Sequence, residues 1–212
     1  MTPDEDRIER AAAAAIAGRL IVFPTDTVYG IGARPDDAAV TGRLFEAKGR
    51  PRELELPVVI GSADEAPRIA VFDDRAEALA RRFWPGPLTI VVPRSEASRA
   101  WELGGDPSTI GIRMPRHPVA LAVLHTTGPL AATSANRSGE PPARTCEELQ
   151  ATFGDAVETY LCDPEPLEGE PSTVVELAEH GWRLVREGAV SERAILEVLG
   201  RGDRPSGDRP PV

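Results

Sequence analysis

The sequence predicts an α/β (α+β) domain built on a twisted, mixed sheet of about seven strands with flanking helices. Strand-like apolar segments alternate with segments of helical periodicity along most of the 212 residues. Several strands near the C-terminus follow one another without an intervening helix, which favours a mixed sheet over a purely parallel one. The longest apolar runs, such as LTIVV, are far too short to form a membrane-spanning helix.

Six helices are predicted from apolar spacing and from residues that begin or end helices. The first is rich in strong helix formers and is followed by Gly18, a typical C-terminal cap. The second places Lys48 at its C-terminal end and Arg50 in the loop that follows. Thr145 and Glu148 have the spacing of a capping box. The six predicted helices cover residues 6–17, 35–49, 73–84, 117–128, 145–154 and 191–200.

Short apolar segments between these helices are predicted to be strands, several of them bounded by proline or glycine. The segment PLAAT leads directly into a Ser-Ala-Asn loop. Strand-like segments occupy residues 19–23, 56–61, 88–93, 109–115, 129–133, 157–162, 172–177 and 182–186. We expect one domain over residues 1–200. Residues 201–212 contain proline, glycine and charge without apolar anchors, so we expect a disordered tail.

Net charge, the N-terminal residues and the cysteines indicate the partners and the compartment of the protein. The net charge of -10 disfavours tight, sequence-independent binding of nucleic acid unless the arginines lie on one face. The N-terminus MTPDEDRIER is acidic where a signal peptide is basic, so a cytoplasmic protein is expected. Cys146 and Cys162 lack the spacing of a metal or redox motif, and we expect reduced structural thiols.

Polar residues are concentrated in three stretches that lie next to predicted strands or helices. FPTDTVYGIG supplies Thr27, two further hydroxyl groups and a carboxylate after a buried strand. KGRP holds Lys48, the only lysine of the chain, and TSANRSG holds Asn136, its only asparagine. An ammonium and a guanidinium so close together suit a polyphosphate. Each stretch alone is better explained as an ordinary turn or a helix C-terminus.

Two arginines fall on predicted strands between apolar neighbours. Arg113 lies in GIRMP and Arg186 in LVREG. A guanidinium in such a place must be paired or must face a cleft. A bound carboxylate or phosphate would supply the partner, and an internal Asp or Glu would do so equally well.

Taken in order, these stretches resemble the YrdC-like family, the threonylcarbamoyl-AMP synthases. The resemblance runs from about residue 8 to residue 199 and includes seven ordered blocks. They are PTDTVYGIG, the K-x-R of Lys48 and Arg50, WPGPLT, IGIRMPRHP, the S-x-N of Ser134 and Asn136, PSTVV and LVREGAV. The resemblance implies a twisted sheet with a large concave cavity. It also implies synthesis of threonylcarbamoyl-AMP from L-threonine, bicarbonate and ATP, with release of pyrophosphate.

The resemblance further implies a role for each matching residue. Lys48 and Arg50 would hold the triphosphate and act in catalysis, and Ser134, Asn136 and Arg186 would bind the nucleotide. L-Threonine would be held by Thr27, Arg113, Thr133 and Ser172, with Arg113 as the partner of its carboxylate. A Mg²⁺ ion is expected on the ATP phosphates, held mainly by the nucleotide. The product would pass to transfer proteins that modify tRNA, and direct tRNA binding is expected to be weak or absent.

The chain departs from the family pattern in two places. Some members carry a histidine in the strand after K-x-R, where this chain has Val59 and Ile60. Longer members append a second domain over the active site, so closure here is expected from the tail or from a loop. Two other functions stay open at this point: an RNA-binding module of the same fold, and a carbamoyl-transfer domain of related chemistry.

Overall fold

The structure, a computed structural model, describes residues 3–200, in which helices alternate with short strands. The expected tail at residues 201–212 lies outside the described residues. The α-helices are α1 Pro3–Ile16, α2 Ala38–Lys48, α3 Ala66–Ile69, α4 Asp74–Phe83, α5 Pro118–Thr127, α6 Cys146–Phe153 and α7 Glu192–Leu199. The strands are β1 Ile21–Phe23, β2 Gly30–Ala33, β3 Val58–Val59, β4 Leu88–Pro93, β5 Thr109–Arg113, β6 Leu130–Ser134, β7 Thr159–Tyr160, β8 Thr173–Leu177 and β9 Trp182–Arg186.

All of these strands form one mixed sheet in the order β7-β1-β2-β6-β3-β5-β4-β8-β9. The pairs β1 with β7, β3 with β5, and β4 with β8 are parallel, and the other neighbours are antiparallel. The predicted mixed α/β class is therefore confirmed. The described residues contain nine strands where about seven were expected.

One strand and one short helix were missed by the sequence analysis. Strand β2 has the sequence GIGA, in which two glycines give a low strand propensity. It forms because both of its edges are paired, with β1 and with β6. Helix α3 contains only four residues, too few for a periodic pattern to show.

Apolar side chains cover the two faces of the sheet unequally. Helices α2, α4 and α7 pack on one face through Leu44, Leu79 and Ile195. On the other face, α1 and α5 pack against β1, β3 and β6. The register places the side chains of Thr89, Val174 and Arg186 on this second face, beyond α1 and α5. The large concave cavity implied by the family stays a prediction.

The expectation that the two cysteines are free thiols is wrong for this structure. Cys146, the first residue of α6, and Cys162, which follows β7, form a disulfide with a Cα–Cα distance of 5.6 Å. That distance lies within the range of ordinary disulfides. The sequence separation of 16 residues matches no redox or metal motif, so only the fold brings these cysteines together. Within residues 3–200, no helix is both long and apolar enough to cross a membrane.

Candidate functional site

Lys48 lies at the C-terminal end of α2 and points into the loop after β6. The helix begins at Asp37, whose carboxylate accepts the N–H groups of Ala39 and Val40, and it ends at Gly49 with φ of 59°. Lys48 is only 2% exposed. Its Nζ donates to the carbonyl oxygen of Ser134 and to that of Asn136, at 2.7 Å for the latter. The amide Oδ1 of Asn136 lies 3.3 Å from the same nitrogen.

Asn136 uses its amide to hold this loop in shape. Its Nδ2 donates to the carbonyl oxygens of Arg137 and Glu140, each at 2.7 Å. With Oδ1 on Lys48, both ends of the amide have protein partners. Asn136 and Ser134 therefore position Lys48, and their predicted contacts with a nucleotide stay predictions.

Arg50 and Arg186 add two more positive charges to the neighbourhood of Lys48. Arg50 donates to the carbonyl oxygens of Leu54 and Glu55, at 3.2 and 2.8 Å. Burial lowers the pKa of Arg50, and the charge of Arg186 lowers it further. Burial, followed by the charge of Arg50, lowers the pKa of Lys48 to about 7. These charge effects link Arg50 to Lys48 on one side and to Arg186 on the other.

Arg113 ends β5 and is held by the WPGP turn and by the loop between β1 and β2. It is 8% exposed. Its Nε donates to the carbonyl oxygen of Gly86 at 3.0 Å, and its Nη1 donates to Thr27 Oγ1 at 2.9 Å. Its Nη2 forms an ion pair of 2.6 Å with Asp26. The sequence left open whether Arg113 is paired with a bound ligand or with an internal Asp or Glu. The structure shows an internal carboxylate, that of Asp26.

Ser172, just before β8, connects Arg186 with β4. Its carbonyl oxygen accepts two bonds from the Arg186 guanidinium, at 3.1 and 2.8 Å. Its hydroxyl lies 3.2 Å from Arg186 Nη2 and 3.1 Å from the hydroxyl of Thr89. The charge of Arg186 also lowers the pKa of Arg113, although burial is the larger cause. Arg186 thus joins the region of Lys48 and Arg50 to that of Arg113 and Thr27.

Hydrogen bonds join seven of the nine predicted site residues in three groups: Lys48 with Ser134 and Asn136, Arg113 with Thr27, and Arg186 with Ser172. Arg50 is connected to these groups only through the effect of charge on pKa values. Thr133 is the exception: it pairs with Ile31 in the sheet, and its hydroxyl has no protein partner recorded in the described part of the chain. It adjoins Ser134 in β6, so it still lies beside the Lys48 loop.

Two residues that support the site were not assigned by the sequence analysis. Asp26 holds Arg113 and also accepts the backbone N–H of Arg116 at 2.8 Å. Thr89 contacts Ser172. Both lie inside blocks that carry the family resemblance, PTDTVYGIG and WPGPLT, and this was the one signal that could have found them. Nothing in the sequence indicates their partners, which lie more than 80 residues away.

The residues around the site suit a magnesium ion only when phosphates supply most of its ligands. Within residues 3–200, no group of three or more His, Cys, Asp or Glu side chains could hold a metal ion. Asp26 is the carboxylate paired with Arg113, and one of its oxygens already accepts two donors. Hard cations such as Mg²⁺ are commonly bound through substrate phosphates together with water.

Comparison with known proteins places the chain in a family. The Sua5/YciO/YrdC family model, described as telomere recombination, matches residues 14–188. A Mycobacterium tuberculosis protein with the provisional name threonylcarbamoyl-AMP synthase is 43% identical over 195 residues, 91% of this chain and 89% of the relative. The threonylcarbamoyl-AMP synthase of Pyrococcus abyssi is 39% identical over 199 residues, 93% of this chain and 58% of the relative.

A solved structure with a bound ligand also matches. The crystal structure of P. abyssi Sua5 complexed with L-threonine has a TM-score of 0.84 and 35% identity, covering 95% of this chain and 59% of that one. The chain therefore spans most of the mycobacterial relative and somewhat under three fifths of the archaeal one. From the matched residues and the shared fold, the chain belongs to the Sua5/YciO/YrdC family.

Proposed function

We propose that the chain is a threonylcarbamoyl-AMP synthase, which makes L-threonylcarbamoyladenylate from L-threonine, bicarbonate or CO₂, and ATP, and releases pyrophosphate. The proposal is supported by 43% identity to the mycobacterial relative and by a site whose residues match the family blocks. The product would supply the threonylcarbamoyl group for tRNA modification, through transfer proteins in the cytoplasm.

The observation that carries the proposal is a group of cations whose hydrogen bonds, within residues 3–200, include none to a carboxylate. Every recorded hydrogen bond from Lys48, Arg50 and Arg186 goes to a neutral carbonyl, amide or hydroxyl oxygen. Lys48 is buried, Arg50 is half-buried and Arg186 is exposed, and like charges held partly away from water are costly unless an anion compensates them. A triphosphate provides that anion and can be held from several directions at once.

The region of Arg113 suits the amino acid. A guanidinium has five N–H donors, and three hydrogen bonds of Arg113 are to Gly86, Thr27 and Asp26. Two donors thus remain for the carboxylate of L-threonine, beside the hydroxyl groups of Thr27 and Ser172. This assignment follows the family resemblance and is a proposal for this chain.

The chemistry asks for positioning and charge neutralisation more than for a covalent nucleophile. The threonine amine adds to CO₂ and loses a proton, which gives a carbamate. A carbamate oxygen then attacks the α-phosphorus of ATP, and the bond from that phosphorus to the pyrophosphate oxygen breaks. Lys48, Arg50 and Arg186 would stabilise the negative charge that builds up on the leaving pyrophosphate. Magnesium, held by the ATP phosphates, would neutralise part of the same charge.

The test is pyrophosphate release from ATP and magnesium in bicarbonate buffer, with L-threonine, L-serine or no amino acid. We expect release that depends on both threonine and bicarbonate, together with an adenylate of the mass of threonylcarbamoyl-AMP. If the protein released no pyrophosphate and bound tRNA with a steep salt dependence, the RNA-binding alternative would be correct instead.

A further inference from the structure

The segment between β7 and β8, residues 163–170, crosses the loop that carries Thr27. We call this segment the strap. At Gly169 the strap touches the backbone of Thr27 so closely that an added Cβ atom would lie 1.9 Å from the Thr27 carbonyl oxygen. Side chains do not fit at such a distance. Because the hydroxyl of Thr27 holds Arg113, the position of the strap bears directly on the proposed threonine end of the site.

The first residue of the strap is anchored on the same loop. The backbone N–H of Asp163 donates to the hydroxyl of Tyr29 at 3.0 Å, and Tyr29 is 1% exposed. The carboxylate of Asp163 lies 3.2 Å from Nε2 of His117, at the start of α5. This end of the strap therefore rests on two fixed parts of the fold.

The middle of the strap is held by Arg144, which precedes α6. The backbone N–H of Leu167 donates to the Arg144 carbonyl oxygen at 3.1 Å, and Arg144 Nε donates to the Leu167 carbonyl oxygen at 3.3 Å. The same guanidinium forms an ion pair with Glu168. Arg144 and Glu168 are both exposed, and exposed ion pairs contribute little by themselves.

The Cys146–Cys162 disulfide ties these two anchors together. Cys162 immediately precedes the strap, and Cys146 lies two residues after Arg144. Both cysteines are only partly buried, so a small thiol can reach them. Without the covalent bond, the strap would keep the weak contacts of Arg144 and the bond to Tyr29.

We propose that the strap closes the threonine end of the site and that the Cys146–Cys162 disulfide latches it. This inference rests on the proposed function. A dithiol that cleaves the S–S bond is oxidised to its own disulfide, and Cys146 and Cys162 each gain a hydrogen. Reduction leaves the strap held only by the weak contacts of Arg144 and by the anchor of Asp163, so the contact of Gly169 on Thr27 loosens and the binding of threonine weakens. In a compartment that keeps thiols reduced, the disulfide would be open and the strap unlatched. Oxidation would then shift the strap towards the closed form.

The test compares the oxidised full-length protein, the protein reduced with dithiothreitol and the variant Cys146→Ser/Cys162→Ser. Hydrogen–deuterium exchange of peptides covering 163–170 should be slower in the oxidised protein than in the other two. If the strap is closed for about a tenth of the time after reduction, the KM for threonine should rise about tenfold, with a small change in kcat. Dithiothreitol should have no effect on the double variant.

Equal exchange and equal KM in all three forms would overturn the proposal, as would two free thiols after purification without reductant. The exchange measurement needs no enzymatic activity. A chain that makes no threonylcarbamoyl-AMP in any form, but shows the expected exchange, would therefore contradict the proposed function and leave the latch in place. Glu168→Gln, which removes the ion pair with Arg144, and Glu165→Gln, at a position with no such pair within residues 3–200, should both keep the slow exchange of the oxidised protein, because the disulfide is the latch. Fast exchange in oxidised Glu168→Gln would contradict the proposal.

Discussion

At the scale of single residues, Lys48 has both a structural and a proposed catalytic task. Its ammonium group joins the loop of Ser134 and Asn136 to the end of α2. Lys48→Ala should lower turnover at saturating ATP by on the order of a hundredfold or more, because a preorganised charge at the phosphates is lost. It should also lower the free energy of unfolding by about 1–3 kcal/mol, since buried oxygens lose their donor.

Pyrophosphate release and urea denaturation measure these two effects separately. The control is Arg52→Ala, which removes an exposed cation from the same stretch; Arg52 lies over the ring of Phe45. Its turnover should match that of the unchanged protein. Unchanged kinetics in the Lys48→Ala variant would contradict the assignment of Lys48 to the phosphates.

The carboxyl group of Glu55 should make the free energy of unfolding depend on pH, even without substrate. Its Oε1 accepts the backbone N–H of Gly111 at 3.3 Å, and burial raises the pKa of this carboxyl to about 8 from its ordinary value of 4.5. Between these two values the folded chain binds the proton and the unfolded chain does not. The contribution of Glu55 to stability is therefore present below pH 4.5 and is lost as the pH rises towards 8.

We expect the unfolding free energy of the unchanged protein, relative to that of Glu55→Gln, to fall between pH 5 and pH 8, by up to about 1.4 kcal/mol per pH unit. Urea denaturation at a series of pH values measures the difference. Glu53→Gln, at an exposed position two residues away, is the control and should show no such trend. A flat difference for Glu55→Gln would mean that the carboxyl is ionised in the folded protein.

At the scale of secondary structure, the glycine inside K-x-R determines how the two cations are directed. Gly49 ends α2 in the left-handed conformation, with φ of 59°, so the chain turns between Lys48 and Arg50. An added Cβ at Gly49 would meet no atom within 4 Å. The cost of Gly49→Ala is therefore conformational alone, about 1–2 kcal/mol of unfolding free energy.

Because no clash moves the neighbouring side chains, Gly49→Ala should leave the KM for ATP within about twofold of the original, while thermal unfolding moves to lower temperature. A large loss of ATP affinity without a loss of stability would show that the amide at this position touches the nucleotide.

Most helices and strands could be predicted because the residues that specify them lie close together in the sequence. The helix of residues 145–154 was predicted from Thr145 and Glu148, and Thr145 Oγ1 does accept the N–H of Glu148. The carboxylate of Glu148, however, accepts the N–H of Arg144, so the reciprocal bond falls one residue earlier than a capping box requires. Strand β2 and the disulfide were missed because each depends on partners distant in sequence.

At the scale of the whole molecule, the site is assembled from segments that span more than 150 residues of the sequence. Thr27 lies in the loop between β1 and β2, whereas Arg113 and Arg186 end β5 and β9. The contact between Asp26 and Arg113 joins residues 87 apart. Family blocks in the correct order identify such residues, because the fold keeps their arrangement. They do not identify partners, so the pairing of Arg113 with Asp26 required the structure.

The net charge of the chain predicts that it binds tRNA weakly. At -10, the average surface of this chain repels a phosphate backbone, whereas the cations of the site are partly buried and confined to one region. A small triphosphate can reach such a site, but a folded tRNA meets the acidic surface first. We expect the Kd for tRNA at physiological salt to be weaker than about 1 μM, in the range of non-specific binding.

Fluorescence anisotropy with labelled tRNA at about 50 and about 150 mM salt measures this Kd, and ATP binding in the same buffers shows that the site is intact. Submicromolar affinity that falls steeply with salt would mean that the arginines form a basic face, and the chain would then act on tRNA directly.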